Sequence, residues 1–296
     1  MSTPHVSEDP RSAPEVLGVE FGQASDGFPV ARLGDLVLAM VPRGSGGWYL
    51  ASAWRLMRPL CELKREEFYG HDGDLADEAA FRARVLETAE HRRELAALQR
   101  VQTRMVCSTP WGASQLASIY AEGIVAHMTA GHGGFRLSAE RNARVMPALR
   151  IDSGWYEEDE AWAIVALTFS DLFTSYERKL ADRTIRDKWP DEWEAIHGRT
   201  LEPGESTGKD RREFERRHAD AWIVASAITS SHQRGMVEVV AVLGARQGKQ
   251  VQERRFLVPT AEYQARGPFG FVIDEGRHAA YDGPSSFIGW QPRKAS

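Results

Sequence analysis

The sequence predicts an α+β protein, built of antiparallel sheets with helices packed on them, and three observations lead there. Short apolar, β-branched runs stand in neighbouring pairs divided by Gly-, Asp- and Ser-rich turns, which is how hairpins read. The helical segments are grouped along the chain instead of following each strand, the α+β pattern. The chain has 296 residues, 42% of them hydrophobic and 27% charged, enough for one large or two medium domains with a substantial core.

Each element follows from its residues. Residues 1–15, rich in Ser, Pro and charge, predict a loose tail. Over 16–105 the pattern is a small meander followed by a helix. Phe28–Arg32, Leu36–Val41 and Trp48–Trp54 are short strands separated by LGD and PRGSGG turns. Asp77–Arg100 is a helix with acids in its first turn, arginines toward its end and a stripe of Phe81, Val85, Leu86 and Ala89. Residues 106–296 form the larger α+β region. Ser114–Tyr120 and Ile124–Thr129 make a hairpin turned at AEG, and Phe135–Leu137 adds a third strand. Ser138–Arg150 is weakly helical. Glu157–Phe173 opens with acids before an apolar run, the pattern of a buried helix. Tyr176–Lys188 and Asp191–His197 are shorter helices, the second behind Pro190. Residues 198–212 read as a surface loop, and Asp210–Ala219 as a polar helix. Trp222–Thr229, Met236–Gly244 and Val251–Val258 are strands, followed by a turn of helix at Thr260–Ala265 and a short strand at Phe269–Ile273.

Bulk properties exclude several classes. A net charge of −5 and a pI near 6.0 leave no electrostatic footprint for duplex nucleic acid or an anionic membrane. The first 15 residues lack the basic and apolar parts of a secretory signal. No apolar run reaches the roughly 20 residues of a membrane span, so the expected location is the cytoplasm. Cys61 and Cys107 stand apart without CxxC spacing, which predicts two free thiols and argues against a cysteine-built zinc site. The sequence carries no GxGxxG, GxxxxGK[ST], HExxH or GxSxG. It names no cofactor and leaves the identity of any metal open.

Three segments hold chemistry-bearing side chains. In Gly131-His132-Gly133-Gly134 the glycines allow positive φ and close approach of a ligand to the imidazole, or they simply make a tight turn. In Trp155-Tyr156-Glu157-Glu158-Asp159 adjacent carboxylates can bind a metal together with His132 or divide acid and base roles, or they can mark a helix N-terminus. Asp274 and His278 lie four apart and form a possible pair, or belong to a strand and the loop after it.

Thr109-Pro-Trp-Gly112 including Trp111, Gly131–Gly134 with Leu137, Glu140 and Asn142, and Gly154–Asp159 with Trp162–Val165 together give a resemblance. The chain resembles an uncharacterised bacterial family of plasmids, conjugative elements and prophages whose domain has no known function. The likeness spans Ser108–Phe173 and extends toward the C-terminus through Phe256–Pro259 and Phe269–Asp274. It implies one site made of catalytic His132, Glu157, Glu158 and Asp159, with Trp111, Gly133, Gly134, Trp155 and Tyr156 as binding residues. Relatives often carry a cysteine after the EED triplet, where this chain has Glu160, so a thiol mechanism at that position is not open to it.

Two functional expectations follow. The resemblance implies an accessory protein of a mobile element that binds a macromolecular partner, with exposed aromatics such as Trp48, Trp54, Trp189 and Trp193 as contact candidates where they are not core residues. The alternative is a hydrolase using His132 as base or metal ligand and Glu157 and Glu158 as ligands or acid and base. Convergence of His132 with the glutamates separates the two. Single-strand binding by aromatic stacking is a weaker third option, against which the acidic balance counts.

Overall fold

The computed structural model describes residues 18–244 and 252–289, and the α+β class is what it shows, with helices beside several antiparallel sheets. The tail expected over 1–15 lies outside the described residues. The chain separates into two compact units, one ending at Thr184 and one starting at Ile185. The meander with its helix and the start of the larger region thus share the first unit.

The first sheet is a sequential meander, β1 (Val19–Gln23), β2 (Pro29–Leu33), β3 (Leu36–Pro42), β4 (Trp48–Trp54) and β5 (Asp74–Leu75). β3 is apolar throughout because both of its faces are covered. Val37, Ala39 and Val41 pack with Phe28, Leu60, Leu63 and Phe68, whereas Leu36, Leu38 and Met40 meet Phe81, Val85 and Ala89 of helix α1 (Glu78–Leu98). The Asp77 carboxylate accepts the Ala80 amide at 2.7 Å and so caps α1. β1 was not legible in the sequence; its VEFGQ run buries only Val19, so it carries little periodic signal.

The second sheet has the order β12-β11-β10-β9-β6, from β6 (Val101–Thr103), β9 (Leu116–Ala121), β10 (Ile124–Met128), β11 (Gly133–Leu137) and β12 (Trp155–Glu157). One face buries Ile124, Phe135, Leu137 and Tyr156 and receives helix α3 (Trp162–Thr168). The other face carries the row His127, Gly134 and Glu157, which are register partners across β10, β11 and β12. Beside this sheet lies a two-stranded hairpin, β7 (Ser108–Thr109) with β8 (Gly112–Ala113).

Two expectations in this unit are corrected. The helix expected over Glu157–Phe173 begins only at Trp162, because Glu157 pairs with Gly134 as the last residue of an edge strand. The helical stretch Ser138–Arg150 shrinks to α2 (Ala139–Ala143). Beyond it the chain is held by side chains: Tyr156 donates its hydroxyl to Asn142 Oδ1 at 2.6 Å, and Asn142 Nδ2 donates to the Ile151 carbonyl at 2.9 Å.

Helix α4 (Ser175–Lys188) runs across the division, and the second unit continues with α5 (Pro190–His197) and α6 (Thr207–Arg217). The loop after α5 ends at Ser206, earlier than expected, because the buried Ser206 hydroxyl caps α6 by accepting the Lys209 amide at 3.1 Å and donates to the Arg186 carbonyl at 2.7 Å. β13 (Trp222–Thr229), β14 (Met236–Leu243) and β15 (Glu253–Pro259) form a three-stranded sheet, with α7 (Thr260–Gln264) after it. Its core is Trp222, Val237, Val239, Ala241, Phe256, Val258 and Ile273. Residues 269–273 make isolated bridges instead of the expected strand. No helix among the described residues is long and apolar enough to cross a membrane.

Candidate functional site

His132 stands in the turn between β10 and β11, and Thr129 builds that turn. The Thr129 hydroxyl donates to the His132 carbonyl at 2.6 Å and accepts the His132 amide at 3.2 Å, while the Thr129 amide donates to the same carbonyl at 2.9 Å. The imidazole is left exposed at the sheet end. On the neighbouring strand Glu157 closes β12, and its carboxylate turns back to accept the amides of Asp159 at 2.8 Å and Glu160 at 3.3 Å. It therefore caps a turn, not a helix. The Glu158 amide donates to the Gly133 carbonyl at 3.1 Å, which points its side chain back across β11 toward His132.

As a result the three residues meet. His132 Nδ1 is 3.9 Å from Glu158 Oε1, and one ligand atom from each of His132, Glu157 and Glu158 lies within 4.8 Å of the others. Asp159 is exposed in the same turn, outside this trio. One imidazole nitrogen and two carboxylate oxygens suit a divalent cation such as zinc, manganese or magnesium. Metal–ligand bonds of about 2.1 Å place tetrahedral ligand atoms roughly 3.4 Å apart, so the trio needs side-chain closure of about 1 Å. A carboxylate offers about four lone-pair positions, so Glu157 retains capacity after its two backbone bonds.

The glycines of this segment are there for space. Gly131, Gly133 and Gly134 all lack positive φ, which corrects the expectation drawn from their permissive backbone. A Cβ on Gly133 would stand 2.5 Å from Glu158 Oε2, and one on Gly134 would stand 2.4 Å from the Trp111 ring and 2.3 Å from the Tyr156 carbonyl oxygen. The bare Gly134 strand is thus the seat of Trp111. The β7–β8 hairpin delivers this ring, its turn closed by Thr109 Oγ1, which accepts the Trp111 amide at 3.2 Å and donates to the Gly112 carbonyl at 2.8 Å. Trp111 meets Trp155 edge-on at 5.7 Å, and the Arg136 guanidinium lies 5.1 Å from the Trp155 ring centre. Tyr156 faces the opposite way, wholly buried in the core. Its burial raises the hydroxyl pKa, an effect that the Ile151 amide and Arg150 oppose. It positions β12 and presents nothing to a ligand. Trp111 and Trp155 are half-buried, and Gly133 and Gly134 are buried.

The pattern at Asp274 and His278 resolves differently. His278 is buried; its Nδ1 accepts the Asp274 amide at 3.0 Å and its Nε2 faces Glu262 Oε2 at 3.2 Å. The Asp274 carboxylate accepts the Gly276 amide at 3.0 Å. The histidine's carboxylate partner is Glu262, on α7, and sequence spacing held no signal for it. Among the four tryptophans considered as contact residues, Trp193 is a core residue stacked on His197 at 3.9 Å, Trp189 is half-buried, and Trp48 and Trp54 are exposed.

Residues 104–219 match the family model of a domain of unknown function, DUF7007. The matched stretch holds the hairpin, strands β9 to β12 of the second sheet and the trio. No curated protein and no solved structure gives a match.

Proposed function

We propose that the second sheet carries a divalent-metal site with hydrolytic chemistry. His132, Glu157 and Glu158 would hold the cation, and the chemistry it would supply is acidification of a water as nucleophile. The observation behind this reading is the meeting of the three ligand atoms within 4.8 Å, at positions 132, 157 and 158 that the chain brings together only through the pairing of β11 with β12. A cation held by three protein ligands with a position open acidifies its bound water. Asp159 supplies a further carboxylate at the edge of the same turn.

The second reading is an accessory protein of a mobile element, acting in the cytoplasm on a macromolecular partner other than duplex nucleic acid. It draws on the sequence resemblance and on Trp54, Met57 and Tyr69, which are 51%, 81% and 64% exposed and are aromatic or apolar side chains of the kind partners use.

Metal content of the purified protein, measured by mass spectrometry on wild type and on His132→Ala, separates the two. A stoichiometric zinc or manganese in the wild type that the variant loses supports the metal site. Metal absent from both, after dialysis against each cation, removes it and leaves the partner-binding reading.

A further inference from the structure

The face of the second sheet that holds Gly134 also holds a buried histidine with no part in the trio. His127, on β10, is 4% exposed and is covered by the segment that leads into and out of the β7–β8 hairpin. Its Nδ1 lies 3.7 Å from Cys107 Sγ and 3.1 Å from Ser114 Oγ. Its ring sits 5.5 Å from that of Trp155. Cys107 itself is partly exposed and free.

We propose that Cys107 is a nucleophilic thiol served by His127 as its base, a second reactive centre whose substrates are carbon electrophiles. Three features carry this. The thiol and the imidazole are in contact, as a nucleophile and its base must be. Cys107 is partly exposed while His127 is buried, so a reagent approaches from the side of the cysteine and not of the base. Ser114 provides the third: its hydroxyl has a second acceptor, the Leu116 carbonyl at 3.4 Å. When the hydroxyl turns to that carbonyl, Nδ1 is free to take the thiol proton. Burial also lowers the His127 pKa, which keeps the imidazole neutral and able to accept.

In the step itself Sγ attacks the electrophilic carbon, a C–S bond forms, and the bond to the leaving group breaks with its electron pair. The thiol proton passes to His127 Nδ1 and from there to the leaving group or water. No oxidant or metal takes part, so the centre stands independently of the metal reading.

The chain contains its own reference, since Cys61 is an exposed free thiol. The experiment is alkylation of the full chain by iodoacetamide at pH 7, in EDTA, with the modification of each cysteine followed by peptide mass spectrometry. Cys107 is expected to react faster than Cys61 despite its lower exposure. His127→Phe, which keeps a ring in the buried position, should slow Cys107 about a hundredfold, the low end of the 10²–10⁴-fold range of general base catalysis, and leave Cys61 unchanged. His127→Gln, which keeps polarity without a base, should behave the same way. Cys61 at its wild-type rate and an unchanged far-UV circular dichroism spectrum show that the variants are folded. If Cys107 reacts more slowly than Cys61, or at the same rate in wild type and in either folded variant, the proposal is wrong.

Discussion

Replacing Gly134 by alanine tests the seat of Trp111 directly. The added Cβ would stand 2.3 Å from the Tyr156 carbonyl oxygen and 2.4 and 2.9 Å from two ring carbons of Trp111. Carbon contacts relax at about 3.5–4.0 Å, so β12 or the hairpin must withdraw by about 1 Å. Overpacking of this kind costs about 1–3 kcal/mol, and the stiffer unfolded chain returns about 0.4–1 kcal/mol. The expected net loss is therefore about 1–2 kcal/mol. Gly131→Ala is the matched control three residues away: among the described residues no atom lies within 4 Å of its Cβ position, and a surface change of that sort stays within about 0.5 kcal/mol. Both variants are compared with wild type by urea unfolding followed by far-UV circular dichroism. Trp111→Leu in the Gly134→Ala background should recover part of the loss, because it removes the ring contact but not the backbone one, giving a coupling of about 0.5–1 kcal/mol, the low end for residues in contact. Equal stability of the two alanine variants, or strict additivity in the double variant, would refute the seating of Trp111 on Gly134.

Two further predictions concern the second unit. Glu238 is fully buried and accepts Arg255 Nη1 at 2.8 Å, the Ser285 hydroxyl at 2.7 Å and the Ser286 amide at 2.7 Å; Glu238→Ala, which removes the buried carboxylate facing Arg255, should cost about 3–5 kcal/mol and expose the 283–287 segment to hydrogen exchange. Burial by itself pushes the Glu238 carboxyl up, but the Ser286 amide, Arg255 and Ser285 together hold it below its ordinary 4.5. Its contribution is present above pH 4.5 and fades as the pH falls through the lower folded value, so a midpoint of acid unfolding that does not move in Glu238→Gln would count against this pair. On the surface, bidentate bonding from Arg199 and the Glu202 amide hold Glu205 down to about 2. A carboxyl NMR titration should show it ionised down to about that pH, and an ordinary midpoint near 4.5 would show the Arg199 contact to be absent in solution.

What the sequence determined by itself were the elements whose side chains repeat at one period or stop at a clear signal. β3 and β4, α1, α5 behind Pro190, and the β13–β14 hairpin all lie within a residue or two of where their patterns put them. It also brought His132, Glu157 and Glu158 together as candidates, but only as residue types suited to one chemistry. Whether they meet was a matter of tertiary structure, because it depends on β12 pairing beside β11, a contact between segments about twenty residues apart. The same pairing turned an expected helix N-terminus into an edge strand and a capped turn. It also gave Gly133 and Gly134 their purpose as room for Glu158 and Trp111, a reason that no local φ preference records. The placing of Cys107 and Ser114 on His127 is likewise a product of chain folding: 107, 114 and 127 have no spacing that a motif would show. Periodicity reports which face of an element is buried, and it carries no information about which element will cover that face.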